Sequence, residues 1–288
     1  MDWRAESIGC NGCGAEYTYE QGFPDLIVGG RFDDADDAER TAYETQTNED
    51  LTRNYFLPVF KNLLREKPKP KLLSLGCGVG MDVDMLAAAG FDVYGIDCGN
   101  RSNAWPRRQH RDRLYLANGK NLPFADGSFD MVYCGCVFPH VGVEGDSNIV
   151  RADGWEERAR IASEMTRVLK PGGRVLVSSP NRWFPLDLFH GRDPQNPYPR
   201  WNSPTSRFLL SSGDYRRLFG AAGCNTFRPM PVQGYWGFLR MKRTWKGRMM
   251  AFPVEMIFRL VSTEPGAILR PSPINPWLVM LCGKGVNG

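Results

Sequence analysis

No hydrophobic run in this chain is long enough to cross a bilayer, and no basic, apolar, small-residue leader follows Met1, so a soluble cytoplasmic protein is expected. Net charge is also scarce. A balance of +4 over 288 residues is too small to announce a nucleic-acid partner. Near the start, metal ligands are missing: Cys10 and Cys13 have no other Cys or His within the first seventy residues, whereas a structural zinc site needs four ligands. No metal is therefore assigned. The eight cysteines are scattered, six of them in or beside predicted sheet elements, which reads as reduced packing residues rather than a disulfide framework. What the chain does have is length and 42% apolar residues, enough to bury a full core.

The most informative stretch runs from Leu72 to Gly99, LLSLGCGVGMDVDMLAAAGFDVYGIDCG. Leu72, Leu73, Ser74 and Leu75 form a short run that stops at Gly76, Gly78 and Gly80, as a buried parallel strand ending in a tight turn would. Val83, Leu86, Ala87 and Gly90 fall at helical spacing. Phe91 to Ile96 reads as a second strand with Asp97 at its carboxyl end, where open α/β sheets collect ligands. A dinucleotide fingerprint would want a small residue at position 81, so that helix and strand pack closely around a pyrophosphate, and Met81 stands there. The glycines and Asp97 taken singly are equally compatible with a turn and a surface acid.

The G-x-G-x-G pattern at Gly76, Gly78 and Gly80 resembles the first motif of class I S-adenosylmethionine (SAM) methyltransferases. Two later blocks resemble the same family in the same order: Asn121 to Tyr133 is similar to its loop and fourth strand, and Glu164 to Asn181 to its helix, glycine turn and fifth strand. The resemblance covers about half of the chain. It implies an α/β fold, a doubly wound, seven-stranded Rossmann-like sheet with its last strand antiparallel, and N- and C-terminal additions forming the acceptor side.

Beyond the motif, Cys10 to Ile27 resembles the second half of a zinc ribbon found ahead of some bacterial methyltransferase domains, so residues 1–34 are read as a relic of that ribbon, with a site shared between two chains as the alternative. Residues 35–70 read as helices interrupted at Pro58 and ending in the Lys67–Pro70 linker, with Tyr43, Tyr55 and Phe56 as candidates to line the acceptor pocket. The core is expected over 71–237. Its third strand should be Arg113 to Ala117 and its fourth Phe129 to Cys134, with Asp153 and Glu156 at capping-box spacing before a helix from Trp155 to Leu169. The fifth strand should be Arg174 to Ser179, launched by Pro171, Gly172 and Gly173, and the sixth Asn225 to Met230. A substrate loop over 180–210 follows the fifth strand. Residues 238–275 form an insertion in which a basic cluster, Arg240, Lys242, Arg243, Lys246 and Arg248, precedes the apolar Gly247 to Val261. That segment is expected to be a lid on the substrate loop, with an amphipathic helix on a membrane surface as the alternative. Pro276 to Cys282, within the closing 276–288, should be the final strand.

The resemblance also implies roles. The Gly76, Cys77, Gly78 and Gly80 backbone would pass the methionine end and ribose of the donor, and Asp97, with acceptor capacity for two hydroxyls, would hold the ribose diol. Cys98 would touch adenine. The family's aspartate that accepts from the adenine amino group falls on Asn118 here, an uncharged and weaker acceptor, with the Gly119 amide beside it. Cys134 and Gly135 would offer carbonyls to the donor ammonium. His140, in VFPHV, and His190, in SPNRWFPLDLFHG, are the candidate bases, each also readable as a loop hydrogen-bonder. Asn181, Arg182, Trp183, Tyr235 and Trp236 are candidate acceptor contacts; Arg182 could equally tie the loop to an acid such as Asp187. The expected reaction is methylation of an oxygen or nitrogen of a small molecule. The rival readings are an RNA or protein methyltransferase and a non-catalytic SAM-binding protein.

Overall fold

The computed structural model describes residues 2–3, 7–11, 14–28, 38–145, 147–187, 200–203, 205–235 and 245–286. Cys13, the acidic run from Asp33 to Asp37, His190, Trp236 and the cations Arg240, Lys242 and Arg243 lie outside them.

Four short strands open the chain: β1 (Asp2–Trp3), β2 (Ser7–Gly9), β3 (Glu16–Glu20) and β4 (Phe23–Asp25). Helix α1 (Ala38–Leu51) runs through a π-helical stretch, Thr52–Phe56, into α2 (Leu57–Leu63). The π-helical interruption thus falls just before Pro58, whose missing N–H cannot continue the α-helical ladder. Then come β5 (Lys71–Leu75), α3 (Met81–Ala88), β6 (Asp92–Asp97), a 3₁₀ segment over Asn100–Arg107, β7 (Leu114–Leu116) and β8 (Phe129–Gly135). They are followed by α4 (Gly154–Arg167), β9 (Leu169–Pro180), and the two-residue strands β10 (Leu186–Asp187) and β11 (Arg200–Trp201). Helix α5 (Ser212–Ala221), β12 (Cys224–Pro229), α6 (Trp245–Ser262) and β13 (Trp277–Lys284) complete the chain.

Seven of these strands make the expected core. Their order is β7-β6-β5-β8-β9-β13-β12, parallel from β7 to β9, with β13 antiparallel to both β9 and β12. The sheet does not stop at seven. The β1–β4 meander adds four strands on the β7 edge, where Asp25 pairs with Leu116 and the Leu26 amide donates to the Leu116 carbonyl at 2.7 Å. The segment read as a ribbon relic therefore extends the sheet and covers an edge strand that would otherwise be open.

Strand alternation splits the core in two. Leu72, Met131, Tyr133, Leu176 and Val279 face one side, with α3, α2 and α6; Leu73, Leu75, Val132, Val177 and Met280 face the other, with α4 and α5. Two local expectations fail for identifiable reasons. Asp153 makes no side-chain cap for α4, because its carboxylate is turned to Arg151 Nε at 2.9 Å. Pro171 to Gly173 do not precede the fifth strand but lie inside β9, at an irregularity where the register against β8 jumps between Phe129 and Met131.

Candidate donor and acceptor sites

The sheet reverses order between β5 and β8, and the carboxyl ends of β5, β6 and β8 meet beside the glycine loop. Gly76, Gly78 and Gly80 all take left-handed backbone angles, φ +71°, +54° and +72°. At Gly76 the requirement is doubly strict, since a Cβ would lie 2.4 Å from Val137 Cγ2 on the loop after β8. The small residue missing at position 81 has its counterpart across the sheet: a Cβ on Gly95 would lie 2.7 Å from Val83 Cγ2 and 2.9 Å from Cys77 Sγ. Close packing of α3 on β6 is achieved from the strand side.

Asp97 fastens this loop. Its Oδ2 accepts from the Gly78 amide and its Oδ1 from the Gly99 amide, both at 2.8 Å. Burial pushes its carboxyl above the ordinary 3.8, against the opposing pull of the Gly99, Gly78 and Cys98 amides. From the other side the Trp105 indole N–H donates to the Gly78 carbonyl at 2.7 Å. Beneath the loop, Asp82 accepts from the Ser74 and Tyr133 hydroxyls at 2.6 and 2.7 Å, all three being buried, and desolvation raises its carboxyl as well. Arg101, whose Cδ lies 3.6 Å from where a Gly78 Cβ would stand, forms a two-pronged ion pair with Glu44 of α1. The N-terminal helix is thereby tied across the mouth of the loop.

The adenine-side candidates are close by in the fold. Asn118 and Gly119 are buried after β7. Asn118 Oδ1 accepts from the Lys120 amide at 3.0 Å, and a Cβ on Gly119 would press on Leu75 at 3.2 Å. Cys98 is half-buried directly after Asp97. Cys134 and Gly135 end β8, with Cys134 buried and its thiol pushed up by desolvation. Cys136, the next residue, holds φ +56°, an uncommon backbone state for a residue with a Cβ.

On the acceptor side the residues separate. His140 closes a 3₁₀ turn, Phe138–His140, its ring edge-on to Phe208 with centroids 5.8 Å apart. Tyr235 is buried, its hydroxyl bonded to that of Ser178 and its ring 4.7 Å from Tyr55 and 5.3 Å from Trp277. A Cβ on Gly135 would lie 3.5 Å from that hydroxyl, so Tyr235 stands behind the end of β8. Asn181 is a correction. Its side chain is fully buried, donating to the Ser272 and Asn275 carbonyls at 2.9 and 2.8 Å and accepting from the Trp183 amide, so it pins the base of the loop instead of lining a pocket. Arg182 pairs with Asp214 at 3.6 Å and lies over the exposed Trp183 ring, while the Asp187 side chain lies outside what the structure describes.

Arg158 is the residue that sequence reasoning missed. Buried on α4, it donates to the carbonyls of Pro139, Val141, Arg207 and Phe208, and desolvation brings its guanidinium down to about 10. It clamps the backbone on both sides of His140 to the end of the substrate loop. The signal was present: Arg158 stands three residues before Ile161 and seven before Met165, on the apolar stripe of the helix.

These residues suit a sulfonium nucleoside. Glycines at 76, 78 and 80 leave the backbone open at those positions, the Cys77 and Val79 side chains being buried, and Asp97 is an acceptor-only carboxylate of the kind a ribose diol requires. Among the described residues, no group of three or more His, Cys, Asp or Glu is placed to hold a metal. The family described as "Methyltransferase domain" matches residues 73–177. A relative from Mycolicibacterium smegmatis named as a probable S-adenosylmethionine-dependent methyltransferase is 32% identical over 142 residues, 49% of each chain. The demethylmenaquinone methyltransferase of Beutenbergia cavernae is 33% identical over 131 residues, 44% of this chain and 49% of that one. A solved SAM-dependent methyltransferase from Methanosarcina mazei, 18% identical, aligns over 80% of this chain and 98% of its own with a TM-score of 0.48. The chain thus spans about half the length of the curated relatives it matches. Over residues 73–177 the chain therefore matches a methyltransferase domain, and SAM is the cofactor of that domain.

Proposed function

We propose that the protein transfers a methyl group from SAM to an oxygen or nitrogen of a small molecule. The observation that carries the reading is the glycine loop fastened to Asp97: three left-handed glycines and a carboxylate at the point where strand order reverses. When bound, SAM supplies a methyl already activated by its sulfonium, so the chain's task is alignment and exclusion of water. Gly76 to Gly80 and Asp97 would hold the donor, and Cys134 and Gly135 would serve its methionine end. His140 stands on the loop after β8, clamped through its neighbours by Arg158, in position to take a proton from an acceptor hydroxyl or amine.

Calorimetry with S-adenosylhomocysteine should show Asp97→Ala losing donor affinity by roughly a hundredfold, the worth of two hydrogen bonds to a charged acceptor. His140→Ala should keep that affinity and lose turnover by about a hundredfold in an isotopic methyl-transfer screen. Unchanged affinity in the first variant would remove Asp97 from the donor site, and equal turnover in the second would reduce His140 to scaffolding.

A further inference from the structure

Helix α6 has two apolar faces. Ala251, Val254, Phe258 and Val261 are buried in the cluster that includes Tyr55, Tyr235 and Trp277. On the opposite side Trp245, Met249, Phe252, Met256 and Leu260 are between 46% and 65% exposed. At 3.6 residues per turn these five fall within an arc of about 80°, a continuous ridge along the helix. The ridge is flanked by cations: Lys246 on one side, Arg248 and Arg259 on the other, all exposed. Arg240, Lys242 and Arg243 lead into it in sequence, whereas Glu255 is the helix's one acid and lies half-buried beyond Arg248.

We propose that this ridge docks on an anionic lipid bilayer, with Met249, Phe252, Met256 and Leu260 entering the acyl boundary and Lys246, Arg248 and Arg259 meeting the headgroup charge. The charge pattern selects the occupant. A second copy of the helix would bring the same cations beside each other, whereas an anionic surface complements them on both flanks. The shape agrees, since a fluid acyl phase conforms to a convex ridge while a folded partner must offer a matching groove. Trp245, with Lys246 Nζ 5.8 Å from its ring centre, supplies the amphipathic aromatic that settles at the headgroup level. With charge on its flanks and too little length and hydropathy to span, such a helix lies in the plane of the interface. The proposal holds whatever reaction the core performs.

The test is co-sedimentation of the full chain with vesicles of phosphatidylcholine alone and of phosphatidylcholine mixed equally with phosphatidylglycerol. Binding to the mixed vesicles only, weakened severalfold by about 0.5 M salt, is expected. The double variant Met249→Ser, Phe252→Ser should cut partitioning by at least about tenfold with an unchanged melting temperature, because both side chains stand outside the core. Absence of binding to the anionic vesicles would overturn the proposal. So would equal binding by the double variant, a dimer in sedimentation velocity that the variant dissociates, or a loss of melting temperature showing the ridge to be covered by the chain itself.

Discussion

At the scale of single residues, the site turns on one carboxylate whose ordinary preference is altered by where it sits. Asp97 serves the Gly78 and Gly99 amides of its own fold from the carboxyl end of β6, where open α/β sheets collect ligands. Burial raises its pKa above 3.8 because the charged form loses solvation faster than the amides of Gly99, Gly78 and Cys98 restore it. The sign of the consequence differs for folding and for binding. In the ligand-free fold the raised pKa means that the native state holds the proton more tightly than the unfolded one. The contribution to stability is present at low pH and lost as pH rises through the native pKa. Binding runs the other way, because sugar hydroxyls donate to the carboxylate and a protonated carboxyl offers fewer acceptors. S-adenosylhomocysteine affinity should therefore hold at neutral pH and fall as pH is lowered through a value above 3.8, at a higher pH than a free carboxylate would dictate. Calorimetry across acid pH checks this on the wild type and on Asp97→Asn, which has no such proton. A parallel decline in both would place the titration elsewhere.

At the scale of elements, α4 shows how a buried cation organises a loop through backbone carbonyls, with Asp214 as a more distant charge. Arg158 gives its donors to four carbonyls, Pro139 and Val141 on either side of His140 and Arg207 and Phe208 far along the chain, joining the two segments. Arg158→Met fills much of the volume but leaves those carbonyls without their donor, and a loss of roughly 2–4 kcal/mol in urea unfolding is expected. Turnover should fall more than donor affinity, since the loosened segments flank His140 and not the glycine loop. Arg158→Lys should not rescue, because three donors on one nitrogen cannot span the four carbonyls. The elements also show what could be read in advance. From β5 to Asp97 the succession of strand, glycine turn, helix and strand was legible, since the sheet is buried on both faces there, the run is apolar, and a glycine is demanded wherever φ turns positive. The β1–β4 meander was not, because strands of two to five residues carry little periodicity and their pairing depends on an edge far along the chain. Nor were the roles of Gly95 and Asn181, both fixed by a neighbour distant in sequence: Val83 for one, the Ser272 and Asn275 carbonyls for the other. Asp153 belonged to a correct local signature that Arg151 overrode.

At the scale of the whole molecule, the meander and the donor site are one mechanical unit. Phe23 of β4 meets Trp105 edge-on, with ring centroids 5.2 Å apart, and Trp105 is fully buried beneath it. The indole N–H reaches the Gly78 carbonyl, on the same residue whose amide is held by Asp97. Gly78 is thus held from both ends of its peptide units, by Asp97 at the end of β6 and by a tryptophan that the N-terminal strands press into place. Two substitutions separate packing from loop positioning. Phe23→Ala removes the buttress and should cost roughly 3–5 kcal/mol of stability, with a melting temperature lowered accordingly. Trp105→Phe keeps an aromatic under Phe23 but leaves the Gly78 carbonyl without its donor, a loss of about 1–3 kcal/mol concentrated on the loop. The expected signature is an S-adenosylhomocysteine affinity reduced by about tenfold, at a stability closer to wild type than that of Phe23→Ala. If Trp105→Phe binds the donor as the wild type does, the meander stabilises the sheet edge alone and Gly78 is positioned by Asp97 without help.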